Sequence, residues 1–254
     1  MPKIDRLSAL MSRFELSVTL CDPRSANFQI VGQAGSDDPT CLILAGQGGG
    51  IAQIAGGGNV LLSAHVTWGG AQNPLFAALQ RIVRHSLEED DDMRAIVTLL
   101  LSEQRATRCG SASVLNRLAE VLVVRLMRGQ IEAAHVETGL LGGLADPRLS
   151  RAIVAIHDTP GHAWRVDALA EVAGLSVSHF SELFREAVGV TPLAYLRKWR
   201  LVLARQDIER GDRVQRVAQR YCYGSTEALS RAMSQAYGAS PMQIRKTAQA
   251  AANA

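Results

Sequence analysis

The period of the hydrophobic pattern changes along the chain. Up to about residue 70 the apolar residues come in short runs: Leu16 to Cys21, Phe28 to Val31, Cys41 to Leu44, Gly50 to Ile54 and Asn59 to Leu62. Asp22-Pro23, Gly35 to Pro39, Gly46 to Gly50 and Gly56 to Gly58 separate them. Runs of this length between Gly-rich turns predict a small antiparallel sheet or partial barrel, preceded by a short helix over Leu7 to Phe14. From Asn73 the spacing becomes helical. Leu75, Phe76, Leu79, Ile82, Val83 and Leu87 share one helical face, and the acidic run Glu88 to Asp92 then breaks it as a solvated junction. A second helix starts over Ile96 to Leu101. A third, Ser113 to Met127, carries Leu115, Leu118, Leu122 and Leu126. It packs either on its own sheet or against a twin subunit. The Gly-rich stretch 129–146, containing Gly139 to Leu144, reads as a linker.

Beyond Asp146-Pro147 the helical segments form an ordered series. Leu149 to His157 is followed by Thr159-Pro160-Gly161 and Trp164. Val166 to Ala173, Gly174 and Ser176 read as a helix, a left-handed stop and an N-cap, and the next helix runs from Val177 to Val188. Its buried ridge is expected at Phe180, Leu183 and Phe184, leaving Ser178, Ser181, Glu182 and Arg185 outward. Small Ala170 and Ala173 permit close helix approach, the physical form of a helix-turn-helix. A second copy follows. Val217 to Ser225 supplies helix, turn and cap, and Thr226 to Tyr237 the second helix, with Leu229 and Met233 inward and Thr226, Glu227, Ser230 and Arg231 outward. Gly189-Val190-Thr191-Pro192 and Gly238-Ala239-Ser240-Pro241 close the two copies 49 residues apart. Between them Tyr195 to Glu209 is a helix bearing Arg197, Lys198, Arg200 and Arg205. These are phosphate contacts or a solvated face.

Charge follows the same division. The net charge of +3 resolves into +5 from Arg151 onward and −2 before it, and a basic half beside an acidic one suits nucleic-acid contact with separate regulation. The expected fold class is α+β: a small antiparallel β sensor domain with dimerisation helices, then an all-α domain with two helix-turn-helix motifs. The expected boundaries are 1–133 for the first (β part about 15–70, helices about 73–133), 134–147 for the linker and 148–248 for the second.

The segment from Leu149 to Arg245 resembles the DNA-binding domain of the AraC/XylS family. Asp167-Ala168-Leu169-Ala170, Phe180 with Phe184, Thr191-Pro192 with Tyr195, Ser240-Pro241 and Arg245 carry the likeness. The resemblance implies two helix-turn-helix units reading adjacent major-groove segments of promoter DNA, contact with RNA polymerase, activation and no catalysis. Three departures stand out: Tyr221-Cys222-Tyr223-Gly224 in the second turn, Met233 where a Phe is usual, and Glu182 and Glu227 on faces that approach phosphate.

Met1 to Phe14 and Thr40 to Gln104 resemble, in shortened form, the cupin-like sensor of one branch of that family. That resemblance implies an effector, and the apolar third helix, where it does not pack on its own sheet, is expected to make a homodimer. Cys21 and Cys41 fall where that branch carries a redox pair, although a free cysteine in a small sheet is also an ordinary buried residue. Arg81 with Arg84, and Arg105 with Arg108, are candidates for gripping an anionic small molecule such as a cyclic dinucleotide, or belong to solvated faces. No cofactor is expected. His65, His85 and His135 lack ligand spacing for a metal, the cysteines lack a CxxC, and the glycine clusters lack the phosphate-loop ending. A methyltransferase fusion would need a zinc-binding cysteine cluster that is absent. No leader and no bilayer-spanning run is read, so a cytoplasmic protein with reduced thiols is expected.

Overall fold

The computed structural model describes Asp5, Leu7, Phe14 and residues 16–46, 58–68, 79, 82–106, 108–133 and 138–252. Two compact units lie within Phe14–Val136 and Glu137–Ala254. Each is described by itself.

In the first unit five strands, β1 (Leu16–Leu20), β2 (Phe28–Gly32), β3 (Pro39–Ala45), β4 (Asn59–Trp68) and β5 (Ile82–Ser86), form one sheet in the order β1-β4-β2-β3-β5. Every pairing is antiparallel. The register puts Val18 opposite Val66, Ala64 opposite Phe28, Phe28 opposite Leu44 and Leu44 opposite Val83. Side chains alternate along a strand, so these share one face. That face is the core, with Phe28, Leu44 and Ala64 fully buried. Helices α1 (Asp91–Ala106) and α2 (Ser111–Ala133) pack on each other, α2 also on β1 and α1 on β3.

Two expectations for this unit are corrected. The helical face through Ile82, Val83 and Leu87 is not helical there, because Ile82–Ser86 is a strand paired with β3. Val83 points to the core while Ile82 packs with Val31, Ile43 and Ala45 on the other face. That alternation, with β3 to pair against, overrides the helical spacing. Strand β4 also runs on past Leu62 to Trp68. The acidic run is more than a solvated break. Asp90 accepts the Met93 N–H at 2.9 Å at the start of α1 and meets His85 Nε2 at 3.0 Å. Burial works against its charge, but these bonds and Arg125 hold its carboxyl below the ordinary range. The readings for Leu7 to Phe14, Gly50 to Ile54 and Asn73 to Phe76 fall mostly or wholly outside the described residues.

The second unit is all helical: α3 (Leu140–Ala145), α4 (Leu149–Asp158), α5 (Val166–Ala173), α6 (Val177–Val188), α7 (Pro192–Glu209), α8 (Val214–Arg220), α9 (Thr226–Tyr237) and α10 (Pro241–Ala252). Leu140–Ala145, expected to be linker, is helix α3. It packs on α4 and α6 with Leu140, Leu141 and Leu144 buried. Its glycines bring the backbone close: a Cβ on Gly143 would lie 2.6 Å from Val188 Cγ2. Glycine marks close approach here, not flexibility.

Candidate nucleic-acid interface

The two copies are built by the same local chemistry. Ser176 accepts the His179 N–H at the start of α6, and Ser225 accepts the Ala228 N–H at the start of α9. Both caps satisfy amides that a helix start leaves open. Thr191 and Ser240 repeat the device before Pro192 and Pro241, accepting from Ala194 and Gln243. The 49-residue offset therefore relates Ser176 to Ser225, Phe180 to Leu229, Phe184 to Met233 and Thr191 to Ser240. All four core residues in that series are fully buried. Met233 thus fills the place of an aromatic ring. Val188 is buried where Leu183, expected in the ridge, is half-exposed.

The turns differ by one residue. In the first, Gly174 takes φ 71°, its N–H bonds Glu171 O, and Leu175 N–H bonds Ala170 O. In the second, Cys222 takes φ 61°, its N–H bonds Gln219 O, and Tyr223 N–H bonds Ala218 O. The closure is the same with a cysteine in the glycine's place. Gly224 is then the extra residue before the cap, so the offset is 48 before the turn and 49 after it.

The outward faces follow from these anchors. Ser178, Glu182 and Arg185 on α6 are exposed, and Ser181 is half-buried with its hydroxyl donated to Val177 O at 2.8 Å. On α9, Glu227 and Arg231 are exposed while Thr226 and Ser230 are half-buried. Thr226 donates to Glu227 Oε1 at 2.9 Å. The Ser225 hydroxyl, its own backbone amide and Thr226 hold the Glu227 carboxyl below its ordinary range. Glu227 is thus committed to the helix start, where its charge complements the dipole. Ser234, the offset partner of Arg185, is exposed on α9 and belongs to the same face; it was legible only through the repeat.

The connector α7 spans about 27 Å at 1.5 Å per residue. Arg197 and Lys198 are exposed on it. Among the described residues no carboxylate lies within ion-pair distance of Arg185, Arg197, Lys198 or Arg231. Arg200 is different. Its Nε and Nη2 donate to Pro160 O and His162 O, both at 2.7 Å, so it is a fastening within the fold rather than a free phosphate ligand. Arg205 pairs with Glu209 at 2.7 Å and stacks over Tyr237.

Of the candidates in the first unit, Cys21 and Cys41 are not brought together. Cys21 follows β1 and Cys41 lies in β3, three strand spacings away, about 14 Å at about 4.8 Å per strand. A disulfide needs Cα atoms within about 7 Å, so these two do not bridge in this fold. Burial pushes the Cys41 thiol up, away from the reactive thiolate. Arg105 pairs with Asp37 at 2.8 Å and Arg108 with Glu103 at 3.7 Å. Arg84 also has a partner, and Arg81 and His135 lie outside the described residues. A cleft of about 420 Å³ opens between β1, β4, α1 and α2, lined by Val18, Leu20, Leu62, Leu100, Leu115 and Ala119 among others. Two of the polar groups beside it are already engaged. Asn116 accepts the Val18 N–H and donates to Glu120, and Ser111 donates to Glu103. Among the described residues no helix is long and apolar enough to cross a membrane.

A family model described as a helix-turn-helix domain matches residues 169–247, and one described as a cupin matches residues 9–132. An AraC-like transcription regulator of Streptomyces lividans is 33% identical over 203 residues, covering 78% of this chain and 67% of its own length. One of Streptomyces antibioticus is 31% identical over 234 residues, covering 91% and 75%. The RCS-specific HTH-type transcriptional activator RclR of Escherichia coli (strain K12) is 32% identical over 165 residues, covering 65% and 58%.

Proposed function

From the premise that this chain belongs to the AraC family of DNA-binding transcription regulators, with a cupin-like N-terminal domain and no enzymatic role, we propose that α6 and α9 each enter a major groove of one promoter duplex. Arg185 and Glu182 read from α6, Arg231 from α9, and Arg197 and Lys198 rest on phosphates. The observation that carries this is the pair of capped helices 49 residues apart, each with a sealed apolar ridge and an exposed polar face. An Arg bidentate to guanine or a Glu accepting from cytosine N4 is the readout such faces make. Selecting duplexes from a random library with the whole protein, then measuring affinity against salt, tests it. A defined two-part site with a steep salt dependence is expected. Selection of no sequence contradicts it.

Activation through RNA polymerase and homodimerisation through the exposed Val114 and Val121 of α2 belong to the same proposal. For the effector, the cleft favours a small apolar molecule. Its lining is mostly apolar, and Arg105 and Arg108, offered for an anion, face the carboxylates of Asp37 and Glu103. Mass spectrometry of molecules released on denaturing the purified protein tests this. A released apolar compound that Leu115→Trp fails to retain supports it, and an anion retained by that variant contradicts it.

A further inference from the structure

Loop 159–165 joins α4 to α5 in the first copy, yet its middle is fixed to the body of the second. Helices α8, α9 and α10 all pack on α7, whose start also meets the first copy through α6 and through the bond of Tyr195 to His157. From α7, Arg200 donates to Pro160 O and His162 O, both at 2.7 Å. Gly161 between them lies against the end of α8: a Cβ there would overlap the Arg220 carbonyl oxygen. The side chains at that end of α8 are themselves held. The Arg220 guanidinium bonds Asp207 at 2.5 Å and Asp212 at 2.7 Å, and Tyr221 Oη donates to Asp207 at 2.7 Å. The loop is braced internally too. Trp164 Nε1 donates to Thr159 O at 3.0 Å, and the His162 and Trp164 rings meet edge-on at 4.6 Å.

Two charge-assisted bonds from one planar guanidinium fix a direction as well as a distance, which a lysine does not do. An arginine kept for phosphate has no need of two backbone carbonyls from a loop 40 residues away. We propose that Arg200 and the Pro160–His162 loop form a bracket that fixes the separation and twist of α6 and α9, so that Arg200 determines which spacing of half-sites is bound rather than which bases are read. Arg200 is a positioning residue in this account, and the account rests on both helices engaging one duplex. Inserting one base pair moves a half-site by about 3.4 Å and turns it by about 34°, a displacement that a rigid pair of helices does not follow.

The test uses the full-length protein and a duplex that the wild type selects from a random library, rebuilt with one base pair removed, one added and two added between the half-sites. The wild type is expected to prefer the native spacing by about tenfold or more. Arg200→Ala and Gly161→Ala are each expected to compress that preference to within about threefold while leaving base preference inside each half-site unchanged. Gly161→Ala keeps the Arg200 charge, so it separates the bracket from a phosphate contact. Arg200→Lys is expected to fall between. If Arg200→Ala does not fold, Gly161→Ala and Arg200→Lys decide. A phosphate contact would weaken all spacings equally and reduce the salt slope by about one. That result, or wild-type spacing preference retained in the folded variants, or no spacing preference in the wild type, overturns the bracket. A wild type that selects no duplex overturns the functional reading beneath it.

Discussion

Arg231 stands at the offset position of Glu182, and Arg185 at that of Ser234, so the outward faces of α6 and α9 carry their charges at different turns of their helices. The two half-sites are then expected to differ in sequence. Arg231→Ala is expected to cost about 1–3 kcal/mol in binding and relax one base position, and Glu182→Ala to change base preference more than affinity. Titration of selected duplexes with single substitutions checks both. His157 is buried, bonded through Nε2 to Tyr195 Oη at 2.6 Å and packed with its ring tilted against Trp199, centroids 4.3 Å apart. Burial pushes its pKa down to about 3, and its Nδ1 has no hydrogen-bond partner among the described residues to receive a proton. The unfolded chain, with an ordinary value of about 6.5, binds a proton that the native state refuses. Its contribution is therefore complete above about pH 6.5 and lost progressively as pH falls toward 3. Melting temperature against pH should decline over that range and flatten in His157→Phe; an unchanged slope would contradict the assignment. At the second turn, Cys222 occupies left-handed backbone that Gly174 occupies without cost. Gly174→Ala is expected to destabilise by about 1 kcal/mol in chemical denaturation.

At the scale of elements, the helical unit was readable because each boundary has its own local cause. Ser176, Thr191, Ser225 and Ser240 cap, and Gly174, Gly189 and Gly238 stop, with partners no more than five residues away. The sheet was not readable in the same way. Strand β5 exists because β3 lies beside it, and nothing within Ile82 to Ser86 announces that partner. Helix α3 was hidden for another reason. Gly142 and Gly143 suggest a linker when composition alone is read, whereas Gly143 is small so that α3 can seat on Val188 and Ile153. Leu144→Ala decides between the two: a buried helix residue costs about 2–5 kcal/mol, a linker residue almost nothing. The exposed positions of α6 and α9 were legible from periodicity. The engagement of Arg200 by a loop 40 residues earlier was not, since no local pattern encodes a tertiary partner.

Across the whole molecule, charge and architecture divide together: the net +5 half from Arg151 carries the two helix-turn-helix copies, and the net −2 half carries the sheet and the cleft. Opposite charge on the two halves favours DNA approach by one of them. The central claim is that α6 and α9 grip successive grooves of one duplex. The direct measurement is a hydroxyl-radical footprint of the whole protein on its selected duplex, with wild type, Arg185→Ala and Arg231→Ala compared. Two protected patches about one helical turn apart are predicted, the first substitution weakening one patch and the second weakening the other. A single patch, or both substitutions acting on the same one, would contradict the account.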